Sequence, residues 1–373
     1  MSILFEPISI KNLTLRNRFV RSATYDGCAE RNGHVSQRQI QMVEELAQGG
    51  VGLIITGIAY VHTSGKISPV QNSLADDDCI PGFRGMAAAA NDNGAGLAVQ
   101  LFHGGREVAM VYKSGRKQAV APSQVPDDPY FSGSYRAITE EEIQEVIQAF
   151  GEAAGRAREA GVDAVQVHGA HAYLLSQFLS PFTNRRTDQW GGELENRLRL
   201  HHEIYRAIRS RVGEDYPVMV KIGVQDGFSG GLEFQEGKQA ALRHAQWGYD
   251  ALEISSGLRG PGYAYTEFRD KISRLDREAY FRNWCKEIRP EVTVPVMMVG
   301  GLRTFDLMEE VIQNGEADFV SLSRPLIREP HLIRDWQNND RHRATCVSCN
   351  KCFEALLEGK PLRCYAQKND GTM

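Results

Sequence analysis

Two imidazoles and a phenol fall within six residues in the stretch "VQVHGAHAY" (165–173): His168, His171 and Tyr173. They stand where an apolar, β-branched run gives way to a Gly- and Ala-containing turn. Imidazole N–H groups stabilise an oxygen that gains negative charge, and a phenol with an ordinary pKa near 10 is a proton donor at neutral pH. A second cluster lies near the end of the sequence, where Cys346, Cys349, Cys352 and Cys364 follow the spacing C-x2-C-x2-C-x11-C. Four thiols gathered this closely suggest a metal, structural zinc among the options, more than disulfides, with free thiols as the alternative. Cys28, Cys79 and Cys285 are scattered and read as free thiols.

Side chains this far apart in sequence act together only if the fold gathers them. Eight short apolar runs recur at 17–23, 51–57, 96–102, 162–168, 216–223, 249–255, 294–300 and 317–323. Runs apolar on both faces indicate parallel strands buried on both sides. Amphipathic segments separate them. The clearest spans 139–161, with Thr139 and Glu142 forming a capping box, Ile143, Val146, Ile147 and Phe150 on one face, and Gly161 as a stop. Segments 193–213 and 303–315 follow the same plan. Eight such units over about 320 residues predict an α/β fold, a (β/α)8 TIM barrel, with a doubly wound open sheet as the alternative. The predicted division is a barrel over 1–341 and a short Cys-rich C-terminal tail, 342–373, packed on it.

In a TIM barrel every strand end meets one mouth, which would gather Ser22, Thr24, Gln100, His103, His168, His171, Tyr173 and Lys221. The connections 104–138 and 256–277 are long and would cover that mouth. "VGGLRT" (299–304) and "SLSRPLI" (321–327) add Gly300, Gly301, Ser323 and Arg324, which together make an anion cradle at the position barrels use for phosphate. No G-x-G-x-x-G follows a strand; "GAGLAV" (94–99) lacks the third glycine and precedes one, which argues against a Rossmann nicotinamide domain.

Bulk properties narrow the class. The chain has 373 residues, 42% hydrophobic content and a net charge of −4, with no basic tract for nucleic acid. Its longest apolar run, 51–61, is too short to cross a bilayer, and no signal-peptide pattern opens the sequence. A cytoplasmic enzyme is the expectation, with no membrane partner.

Several stretches together resemble the old yellow enzyme family of FMN-dependent oxidoreductases: "LRNRFVRSAT", "VQLFHGGR" (99–106), "VHGAHAYLLSQFLSPFTNRRTDQWGGELENR" (167–197), "VGGL" and "SLSRPLI". The likeness runs from about residue 3 to 336. The resemblance implies FMN held by Ala23 and Thr24 beside the reactive nitrogen, Gly57 and Ile58 flanking the ring, and Gln100 reading the pyrimidine. It places Lys221 at the flavin oxygen, where many relatives carry Arg, and the phosphate on Gly300, Gly301, Ser323 and Arg324. His168 and His171 would grip a substrate carbonyl, Tyr173 would donate the proton, and NAD(P)H would supply electrons for an activated C=C bond, in a homo-oligomer. The Cys tail is similar to the [4Fe–4S]-binding segment of dienoyl-CoA reductases and trimethylamine dehydrogenase. "FEALLEGKPLR" is expected to form two helical turns before Gly359 and Pro361 return Cys364 to the other three cysteines. Three other readings stay open here: an FMN/iron–sulfur dehydrogenase exchanging electrons with a redox partner protein, a Schiff-base aldolase using Lys221, and a non-catalytic scaffold.

Overall fold

Strand formation follows the eight apolar runs closely. The computed structural model describes residues 2–111, 119–126, 128–260 and 266–366. Its barrel strands are β1 (Phe19–Arg21), β2 (Leu53–Tyr60), β3 (Gly96–Phe102), β4 (Ala164–Gly169), β5 (Val218–Gly223), β6 (Ala251–Ser255), β7 (Val296–Val299) and β8 (Phe319–Leu322). All neighbours are parallel. β8 pairs with β1 (Val320 opposite Phe19) and β1 with β2 (Val20 opposite Leu53), so the ring closes and the open-sheet alternative falls.

The helices between them are α1 (Gln37–Gln48), α2 (Ile80–Asn91), α3 (Glu140–Glu159), α4 (Arg199–Val212), α5 (Phe234–Trp247), α6 (Arg282–Ile288), α7 (Phe305–Gln313) and α8 (Leu332–Gln337). Thr139 and Glu142 form the expected capping box at α3, and Ile143, Val146, Ile147 and Phe150 are buried against the barrel. The segment 193–213 is broken rather than continuous: a single turn, Leu194–Arg197, precedes α4, which Gly213 ends at φ +73°.

The barrel interior is layered because side chains alternate along each strand. Val20, Leu53, Ile55, Ala98, Ala164, Met219, Ala251, Met297 and Phe319 form an apolar floor, sealed from below by Ile10 and Leu15 of the hairpin Ile8–Ile10/Leu13–Leu15. Two residues further along, the strands contribute Ser22, Gln100, Gln166, Lys221, Glu253 and Ser321, all buried. The inside therefore changes from apolar to polar within one pleat, on the side where the strands end.

Residues 342–366 run along the barrel's upper loops. Ala344 N donates to Arg303 O, Lys271 N to Ser348 O, and Asn350 Nδ2 to Phe268 O. The tail helix Lys351–Leu357 supplies about two turns, Gly359 follows at φ +75°, and Phe353 packs on Phe268 with ring centroids 5.0 Å apart. Within the two long connections, 112–118, 127 and 261–265 lie outside the described residues.

Candidate active site

A cavity of about 830 Å³ opens at the C-terminal ends of the strands. Its lining includes Ala23, Thr24, Ile58, Gln100, His168, His171, Tyr173, Lys221, Gly300, Gly301, Ser323 and Arg324, so twelve residues singled out from sequence share one space. Gly57 does not border it. A Cβ there would lie 2.9 Å from Thr24 O, so this glycine lets β2 approach the end of β1. His103 is turned away, accepting from Gly105 N through Nδ1 and bonding Ser64 through Nε2.

The β4 end is shaped by backbone strain. His171 and Ala172 sit at φ +60° and +64°, a left-handed conformation uncommon for residues with a Cβ. The kink brings His168 and His171 edge to face at 4.9 Å and places Tyr173 5.0 Å from His168 and 4.5 Å from Phe102.

Hydrogen bonds fix the ring states. His168 Nδ1 accepts from Ala170 N at 3.3 Å, so the neutral ring carries its proton on Nε2 as a donor. His171 Nε2 lies 2.7 Å from Ser255 Oγ, and its Nδ1 is 4.0 Å from Glu267 Oε1, beyond hydrogen-bond reach. Burial lowers both imidazoles, that of His171 to about 3 despite Glu267, so both are neutral at pH 7. Burial raises the Tyr173 pKa, and Arg259 only partly opposes it, so the phenol stays protonated.

Sequence reading missed the group that surrounds this phenol. The Arg259 guanidinium lies 5.7 Å from the Tyr173 ring centroid and pairs with Glu267 at 2.7 Å and Glu107 at 3.5 Å. Burial pushes the Glu267 carboxyl upward, but Arg259 outweighs it and holds the group below the usual carboxylate range. These residues come from the two long loops, and no local pattern marks them.

The anion cradle fits a phosphate. Gly300 and Gly301 adopt φ +121° and +75°, and Cβ atoms there would meet the Tyr280 ring at 2.9 Å. Ser321 Oγ is buried without a hydrogen-bond partner in the same lining. Arg303, quoted within "VGGLRT" but not singled out, is buried beside Arg324. Burial lowers its pKa, and the neighbouring Arg324 and Arg343 charges add to that, a repulsion that a bound anion would relieve. Thr24 Oγ1 meets Ser323 Oγ at 2.8 Å, tying the ends of β1 and β8 together.

Lys221 is held in an ion pair with the fully buried Glu253, 3.2 Å away, and donates to Ser22 Oγ at 2.9 Å. An amine tied down by both Glu253 and Ser22 is not free to attack a carbonyl, which counts against the aldolase reading.

Cys346, Cys349, Cys352 and Cys364 border a second, small cavity of about 20 Å³ that shares Arg324, Ile327, Ser348, Asn350 and Cys352 with the large one. Arg328 Nη1 lies 3.4 Å from Cys364 Sγ. Among the described residues no three His, Cys, Asp or Glu side chains are arranged around a single ion.

The sequence profile of the NADH:flavin oxidoreductase / NADH oxidase family matches residues 3–342. The chain belongs to that family. An NADH oxidase from Thermoanaerobacter brockii is 37% identical over 355 residues, which are 93% of this chain and 52% of the relative. A 2-naphthoyl-CoA reductase solved with 2-naphthoyl-CoA superposes with a TM-score of 0.88 at 28% identity, over 99% of this chain and 57% of that one. An old yellow enzyme homologue from Zymomonas mobilis gives 0.74 at 26% identity, over 90% and 92%. The chain thus spans about half the length of the first two and nearly all of the third. No helix among the described residues is long and apolar enough to cross a membrane.

Proposed function

We propose that this family member is an FMN-dependent oxidoreductase that takes electrons from NADH or NADPH and reduces a C=C bond conjugated to a carbonyl. One observation carries the reading: a half-buried, protonated Tyr173 and the Nε2–H donor of His168 both border the cavity that also holds the phosphate cradle. Bound FMN would supply hydride at the β-carbon of the substrate, with Gln100 and Lys221 at its pyrimidine edge and Gly300, Gly301, Arg303 and Arg324 at its phosphate.

The residues do the rest. His168, its Nε2–H left free by the Ala170 N bond to Nδ1, donates to the substrate oxygen as negative charge gathers there. His171 joins it by exchanging its Ser255 bond for the same oxygen. Tyr173 delivers its hydroxyl proton to the α-carbon, and Arg259 stabilises the resulting phenolate until solvent reprotonates it.

The second reading, an FMN/iron–sulfur enzyme exchanging electrons with a partner protein, is favoured by the four cysteines around one space next to the FMN cavity. Anaerobic purification followed by flavin extraction, iron analysis and turnover of 2-cyclohexenone with NADH and NADPH tests both readings. Bound FMN with enone-dependent nicotinamide oxidation supports the first, and four irons per chain add the second. A colourless protein with neither group would overturn both.

A further inference from the structure

Glu253 stands in the middle of β6, 1% exposed, with Lys221 of β5 opposite it in register. Its Oε1 accepts from Ser22 Oγ at 2.7 Å, and its Oε2 accepts from Gln166 Nε2 at 2.9 Å and faces Lys221 Nζ at 3.2 Å. Three donors anchor one carboxylate. Ser22, Gln100 and Lys221 border the cavity, whereas Glu253 and Gln166 lie behind them. No step proposed above uses either of the two.

The hydrogen bonds run in one direction. A carboxylate only accepts, so Gln166 must turn its amide nitrogen to Glu253 and its oxygen towards Gln100. Gln100 then donates to Gln166 Oε1, at 2.7 Å, and keeps its own Oε1 for the cavity. An acceptor in that place suits an imide N–H, the group between the two pyrimidine carbonyls of an isoalloxazine ring. The charges are also settled. Lys221 alone would place one positive charge at the ring's pyrimidine edge; with Glu253 behind it the pair is neutral.

We propose that Glu253 is a positioning residue that sets the reduction potential of the bound flavin, by cancelling the Lys221 charge and by turning Gln100 to present an acceptor. The proposal rests on the FMN reading. Uptake of two electrons and one proton by FMN adds one negative charge, concentrated at the pyrimidine edge. An uncompensated Lys221 would favour that state, and the Lys221–Glu253 pair favours it much less.

The test is the two-electron potential of bound FMN, measured by reduction against a reference dye, in four proteins: the parent, Glu253→Gln, Lys221→Met and the double variant. Glu253→Gln should raise the reduced-to-oxidised ratio at fixed potential at least tenfold, about 30 mV for a two-electron couple. Lys221→Met should lower it, and the double variant, neutral like the parent pair, should return to within about threefold of the parent. A structural role alone would not move the two single variants in opposite directions. If Glu253→Gln does not fold, the comparison of Lys221→Met with the double variant decides. Single variants that both match the parent, or a double variant that follows Lys221→Met, overturn the proposal while FMN stays bound. A parent protein that takes up no FMN overturns the cofactor reading and this proposal together.

Discussion

Replacing Tyr173 with Phe removes one hydroxyl and leaves the ring that packs edge-on against Phe102 at 4.5 Å and lies 5.0 Å from His168. Fold, cavity shape and flavin retention should therefore survive. Flavin reduction by nicotinamide moves a hydride and needs no proton from this residue, so its rate should stay within about twofold. Oxidation of the reduced flavin by an enone loses its positioned acid, an effect of roughly 10²–10⁴ in rate, or about 3–5.5 kcal/mol of barrier. Burial also holds the Tyr173 pKa above its ordinary value, so the parent's oxidative rate should show no basic limb up to pH 10. Anaerobic stopped-flow measurement of each half-reaction separates the two steps. An oxidative rate unchanged in the variant would refute the assignment of Tyr173 as the acid. Equal losses in both half-reactions would instead indicate a displaced flavin.

Arg303→Ala and Arg324→Ala should each weaken FMN retention about 10- to 150-fold, the worth of a charge-assisted hydrogen bond, as read by equilibrium dialysis. Cys349→Ser should lose the iron found in anaerobically purified parent, and equal metal content in the two proteins would rule out a shared centre. Burial lowers the His103 pKa to about 3, against 6.5 when unfolded. Below pH 6.5 the unfolded chain binds a proton that the native chain does not, so His103 contributes stability present above 6.5 and lost as pH falls towards 3, at up to about 1.4 kcal/mol per pH unit. Urea unfolding from pH 7 to 4 should show a shallower decline for His103→Gln. Phe178→Ala, beneath the β4 turn and fully buried, should cost about 3–5 kcal/mol by the same measurement.

The sequence by itself determined the eight strands and the helices between them, because period and composition are local signals; the pairing of β8 with β1 decided that they close into a barrel. Eight doubly buried runs and the Thr139–Glu142 box each needed only a few neighbouring residues to be legible, and the strand ends then located the mouth that holds His168, Tyr173 and Gln100. The lone Glu in "YDALEIS" was a visible signal too, a charge inside an otherwise apolar strand, but its partner lies 32 positions earlier in Lys221 and only strand register joins them. The Arg259–Glu267–Glu107 group was not legible at all. Its members sit on two irregular loops, where side-chain position follows from what the loops pack against and not from any repeat in the chain. Tertiary structure also decided which ring nitrogens are free. The strained backbone at His171 aims its Nε2 at Ser255 Oγ, which comes from the end of β6. Sequence thus specified the groups that the strand ends carry to the mouth, while those the loops bring there, and the charge states, tautomers and pairings of all of them, arise from burial and from contacts between distant segments.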